Sequence, residues 1–117
     1  MSVISAAYIP GEGDLIWTNF DPRTGREQSG KQPALVLSPM TFTRASGFAI
    51  ICPITSTVRN FGTSVLLPPG LTVAGEILTG HVRSIDTGAR PIQFAGDKVP
   101  PAVLAEVRAK LAVLCDI

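Results

Sequence analysis

The stretch DLIWTNF, Asp14 to Phe20, carries apolar residues at positions that an extended strand would turn to both of its faces. Successive strand side chains point to opposite sides, so Leu15, Trp17 and Asn19 share one face and Ile16, Thr18 and Phe20 the other. A strand with no wholly polar side is mostly buried. This one stretch sets the expectation for the chain: strands form the core, and water reaches little of the first.

On either side the punctuation is dense. Ten prolines and eleven glycines cut the sequence into short apolar pieces rich in Val, Ile, Leu and Thr, which is the rhythm of strands. Ala34 to Ser38 reads as a second strand and Phe48 to Ile54, FAIICPI, as a third, both central. TSTVRNFGTS, polar apart from Val58 and Phe61, reads as a surface loop. Ser64 to Leu67 makes a short fourth strand. AGEILTGHVRSID adds one or two more, with Val82 and Ile85 apolar beside an exposed Arg83, and RPIQFAGDKV adds a last edge strand. Only the end has helical spacing. There Pro101 suits a first turn, and Val103, Leu104, Val107, Leu111 and Leu114 recur on one face. Five to seven short strands followed by one helix predict a mainly β fold, a small and strongly curved barrel with helical additions.

The 117 residues are enough for one domain with a real core, taken as residues 1–117, and too few for two. A net charge of +1 provides no bulk field for a polyanion, so any nucleic-acid affinity rests on a local group of cations. Cys52 and Cys115 are far apart and histidine is nearly absent, so no zinc set is expected, and both thiols are read as reduced and in the core. The N-terminus lacks a basic start and a continuous apolar run, and no apolar segment reaches transmembrane length. The expectation is a cytoplasmic protein with no membrane association.

Several ordered motifs give the chain a resemblance. Gly13, Asp14, Trp17, Phe20, Asp21 and Pro22 lead into a loop with Glu27, Gln28 and Gly30, then Pro33, Val36, Leu37 and Ser38; CPITS and GHVRSID follow. In these the sequence resembles the MazF/PemK toxins of bacterial toxin–antitoxin pairs, over nearly its whole length. The resemblance implies an SH3-like barrel with a C-terminal helix, a homodimer, and an endoribonuclease that cuts single-stranded RNA without metal or other cofactor. It also implies a cognate MazE-like antitoxin. Cleavage in such enzymes leaves a 2′,3′-cyclic phosphate and a 5′-hydroxyl. The family's motif has an arginine directly before the proline of the second strand and a threonine two residues after the proline of the third. Thr55 stands at the second position. At the first, this chain has Gln32.

In-line attack on a phosphate builds negative charge on its non-bridging oxygens, and fixed donors aimed there stabilise it. A guanidinium supplies several donors and a charge; glutamine supplies a neutral amide. Two explanations of Gln32 stand open: a natural variation in which another cation takes over, or an inactivating replacement, with the second preferred. Lys31 substitutes only if the backbone there is still loop-like, since neighbouring strand residues face opposite ways. Thr55 is either a phosphate donor, with help from Ser56, or a hydroxyl capping the turn at the strand end.

The remaining candidates fit RNA binding. Arg23, Arg26 and Lys31 in the first long loop, Arg59 in the third and Arg83 near the fifth strand are each either solvated charges or part of one groove. Phe61 either stacks on a base or packs back on the barrel. Asn19 and Gln28 suit base edges, and Glu27 could orient Lys31 or Arg26. His81, read as a strand histidine without a partner, is structural or binding rather than catalytic. Two other classes of function share this fold: a non-catalytic module that holds antitoxin or RNA, and a gyrase-directed toxin.

Overall fold

The computed structural model describes residues 8–20 and 31–117. In chain order come β1 (Asp14–Asn19), β2 (Lys31–Val36), α1 (Met40–Ser46), β3 (Phe48–Thr55), β4 (Val65–Leu66), β5 (Glu76–Ile77), β6 (Arg83–Asp86), β7 (Ile92–Lys98) and α2 (Pro101–Cys115). The strands pair in the order β4-β5-β3-β2-β1-β7, with β6 also on β3. Every pairing is antiparallel. The mainly β class with a C-terminal helix is as expected, and β7 ends the order as the anticipated edge strand.

β1 has packing on both sides, as its sequence requires. Leu15 joins a core with Leu35, Cys52, Ile54, Ile77, Leu104 and Val107, and Trp17 packs against it. Ile16, on the other face, joins Ala34, Val36, Ala49, Ile51 and Ile85, with Phe20 against them. β3 is the long central strand. Its first half, Phe48 to Ile51, pairs with β6 and its last two residues, Ile54 and Thr55, pair with β5. That division brings β5 to the end of β3 that carries Thr55.

Motif residues near β1 and β2 prove structural. The buried Asp14 carboxylate accepts from the Gly11 amide at 3.0 Å and from the Tyr8 hydroxyl, and pairs with Lys98 at 3.2 Å. Burial, then the bond to Asp14 and its charge, raise the Tyr8 hydroxyl far above its ordinary pKa. Ser38, also buried, accepts from the Ile50 amide at 3.0 Å and shares a hydrogen bond with Thr43. It thereby ties β2, α1 and β3 together.

Five expectations need correction. β2 starts at Lys31 rather than Ala34, because Lys31 and Gln32 pair with Asn19 and Thr18 of β1. α1 is additional to the elements expected. Only Thr43 of its residues is buried, so it has no apolar period; Gly47, at φ 80, closes it by donating to the Thr43 carbonyl. His81 lies in a 3-10 turn, Thr79–His81, and not in a strand. Cys115 is exposed near the end of α2, whereas Cys52 is buried and its thiol is pushed up to about 12 by burial. The helical stripe likewise outruns the core: Leu104 and Val107 are buried, but Leu114 is exposed.

Candidate active site

The site forms where β2 and β3 part. Their ladder runs from Val36 opposite Ile51 to Ala34 opposite Pro53. Pro33 and Pro53 carry no N–H to extend it. Carried two residues further, the same register would set Gln32 opposite Thr55. The strand ends instead border a cavity of about 530 Å³, lined by Trp17, Lys31, Gln32, Pro33 and Pro53, by Ile54 to Ser56, by Thr72 to Ala74 and by Leu78. The two positions picked out by sequence motif, Gln32 and Thr55, therefore share one cavity, with Ser56 beside them.

Thr55 also borders a second cavity of about 480 Å³, with Thr57, Arg59, Phe61, Glu76 and His81 among its lining. Its hydroxyl oxygen accepts from the Thr57 amide at 3.1 Å, so the turn-capping role is real. An accepting hydroxyl keeps its own proton to donate. Capping thus fixes the oxygen without using up the donor.

Lys31 is exposed, and its ammonium turns toward Gln93 of β7, 3.4 Å from Gln93 Oε1. Since β7 lies beyond β1 and Thr55 is on β3, that contact draws the charge away from Thr55. As the first residue of β2, Lys31 has strand rather than loop backbone, and it lines the first cavity together with Gln32. The condition under which Lys31 would replace the arginine is not met here.

Arg59 and Phe61 stand on the exposed segment after β3, and His81 on the 3-10 turn across the second cavity. Phe61 is 61% exposed, which decides between stacking freely and packing back: it does not pack back. Arg83 is not among the residues lining either cavity; its guanidinium lies 5.6 Å from the centroid of the Phe20 ring. Asn19 pairs with Lys31 in the sheet, and its carbonyl accepts from Arg90 at 3.0 Å. Arg23, Arg26, Glu27 and Gln28 lie outside the described residues. Among the described residues, no three His, Cys, Asp or Glu side chains gather as a metal site, and no helix is long and apolar enough to cross a membrane.

Two residues without a motif to mark them complete the site. Gly75 has φ +134, and a Cβ there would overlap the carbonyl oxygen of Thr55. Next to it Glu76, 2% exposed, lies opposite Thr55 in the β3–β5 ladder. Its carboxylate accepts from the backbone amides of Arg59 and Asn60 at 3.1 and 2.8 Å. The available signal was a glycine followed by a lone carboxylate inside the apolar run AGEIL.

With two motif positions on one cavity, comparison with known proteins becomes decisive. Residues 11–115 match the family described as PemK-like, MazF-like toxin of type II toxin–antitoxin systems. The chain belongs to the MazF/PemK toxin family. It is 38% identical over 107 residues to the endoribonuclease toxin MazF of Escherichia coli K12, covering 92% of this chain and 95% of that one. MazF of Deinococcus radiodurans superposes with a TM-score of 0.84 at 42% identity, over 94% of this chain and 99% of that one. MazF in a MazE–MazF crystal from the same organism gives 0.85 at 40% identity, with the same coverage. The family's fold is thus this chain's fold.

Proposed function

We propose that the chain is a metal-independent endoribonuclease toxin for single-stranded RNA, held in check by a MazE-like antitoxin, and that Gln32 leaves it catalytically weakened. The meeting of Gln32 and Thr55 on one cavity in a MazF/PemK fold carries this reading. The RNA 2′-oxygen bonds to phosphorus as the P–O5′ bond breaks. The proton lost at one oxygen is regained at the other, leaving a 2′,3′-cyclic phosphate and a 5′-hydroxyl. Thr55 donates to a non-bridging oxygen, and Gln32 adds a neutral amide where the family motif has a cation.

Weakening is favoured by Lys31, whose ammonium is turned to Gln93. RNA on either side of the cut would enter the two cavities that share Thr55, with Ser56 near the phosphate and Arg59, Phe61 and His81 along the second. Asn19, Arg26, Glu27, Gln28, Lys31 and Arg83 belong to the wider RNA face in this reading. The protein works in the cytoplasm as a symmetric homodimer. Exposed Val113, Leu114 and Ile117, at the end of α2, offer apolar surface for such an interface.

Incubation of purified protein with a long single-stranded RNA, in chelator, tests the reading. Slow cutting to cyclic-phosphate and 5′-hydroxyl ends is expected. Cutting that requires added metal, or leaves 5′-phosphate ends, would overturn it. Binding of RNA with no cutting, even in Gln32→Arg, would favour the non-catalytic module.

A further inference from the structure

Glu76 is a buried carboxylate at the root of an exposed segment. Among the described residues it takes part in no ion pair, and its two oxygens are used instead on two consecutive backbone amides, Arg59 and Asn60. Burying a charge is costly unless its oxygens are well hydrogen-bonded, and a neutral residue would fill the same place at lower cost. What the carboxylate adds is a two-point grip. Asn60 itself stands at φ +57, in the left-handed region.

The segment from Ser56 to Thr63 is exposed throughout, so no core of its own holds it. Yet it carries Arg59 and Phe61 into the cavity shared with Thr55. Glu76 meanwhile lies opposite Thr55 on β3 and opposite Leu66 on β4. One side chain therefore links the motif threonine, through the sheet, to the backbone that presents a guanidinium and an aromatic ring. An exposed segment that must be ordered by its ligand loses affinity to that ordering; one ordered beforehand does not.

We propose that Glu76 is the positioning residue for RNA binding: it clamps the Arg59–Asn60 backbone, so that Arg59 and Phe61 meet RNA already in place beside Thr55. The inference rests on the reading of the chain as an RNA-cutting toxin.

Three measurements test it. Amide hydrogen exchange on the parent protein should show Arg59 and Asn60 slower than Val58 and Gly62 in the same segment. In Glu76→Gln, which keeps the size but loses the charge and one acceptor, those two amides should exchange at least about tenfold faster. Amides of Leu15 and Ile51 should be unchanged. Retention of a long single-stranded RNA should weaken about tenfold in the same variant. In the Gln32→Arg background, KM should rise by about the same factor, with kcat within about threefold. Arg59 and Asn60 amides as fast as their neighbours in the parent would overturn the clamp without recourse to any variant. Faster exchange with unchanged RNA retention and KM would overturn its role in positioning. If the parent and the Gln32→Arg protein bind no RNA while the clamp behaves as described, the failure lies with the proposed function.

Discussion

The backbone of Gly75 lies so close to the carbonyl of Thr55 that no side chain fits between them. The contact sets the backbone just before β5 against the end of β3, at a threonine that borders both cavities. Gly75→Ala asks for a Cβ in that gap and for a φ near +134, where only glycine rests easily. A residue forced into such a conformation costs about 1–3 kcal/mol. Urea denaturation should show a loss of that order, and RNA cleavage in the Gln32→Arg background should fall further than stability explains, because Thr55 is displaced. A variant as stable and as active as its parent would show that the close approach is incidental.

Much of this site was legible in short sequence patterns, and the rest depended on partners far along the chain. DLIWTNF announces a strand buried on both faces, and the PALVL and FAIICPI runs announce its neighbours. Pro101 and the following apolar spacing announce α2. The polar start of β2 was hidden because Lys31 and Gln32 become strand through pairing with Asn19 and Thr18, not through any local preference. α1 was hidden because a helix with one buried residue has no stripe to read. Thr55 was picked out as a candidate by motif. The grip of Glu76 on residues 59 and 60, seventeen and sixteen positions away, leaves no trace in spacing.

The two cavities meeting at Thr55 bear on inhibition. Lys31 lines one and Arg59 the other, so an acidic antitoxin tail laid across Thr55 would neutralise both and exclude RNA. Inhibition should be competitive with RNA and should weaken as salt rises. Replacing Lys31 and Arg59 by glutamine should lower the salt slope of RNA binding by about 1.4, roughly 0.7 for each phosphate that is no longer neutralised. Tail affinity should fall in the same protein. Undiminished tail binding would place the antitoxin elsewhere.

Cys52 makes the fold sensitive to alkali. Its thiol is raised from 9.0 to about 12 in the folded chain, by burial. Between those values the unfolded chain has lost a proton that the native state keeps, so unfolding releases protons and stability falls as pH rises. The thiol's contribution is therefore complete below pH 9 and lost by about 12, with a slope of at most about 1.4 kcal/mol per pH unit. Urea midpoints followed from pH 8 upward should decline from about 9. Cys52→Ala should start lower, because it leaves a cavity, but decline less steeply. Tyr8, also raised, keeps some slope in the variant. Parallel declines in the two proteins would remove Cys52 from the account.

The sharpest test concerns Gln32, which shares its cavity with Thr55 and is exposed on the strand end that Pro33 separates from β3. An arginine there would bring a full charge and paired donors to a phosphate held by Thr55, where glutamine brings one neutral dipole. Loss of a single oriented donor costs about 10²–10³ in rate, so Gln32→Arg should raise metal-independent cleavage by about 100-fold or more. Stability should move by less than about 0.5 kcal/mol, as expected at an exposed position without special packing. Thr55→Ala, added to the arginine protein, should remove most of the gain, as the proposed action of both groups on one phosphate requires. Lys31→Gln, added instead, should leave kcat nearly unchanged, because its ammonium is engaged by Gln93 of β7. Parent and Gln32→Arg proteins are to be compared on one RNA, in chelator, at matched concentration. Equal and high rates in both would mean that a different cation already supplies the charge. A large loss in Lys31→Gln would identify that cation as Lys31.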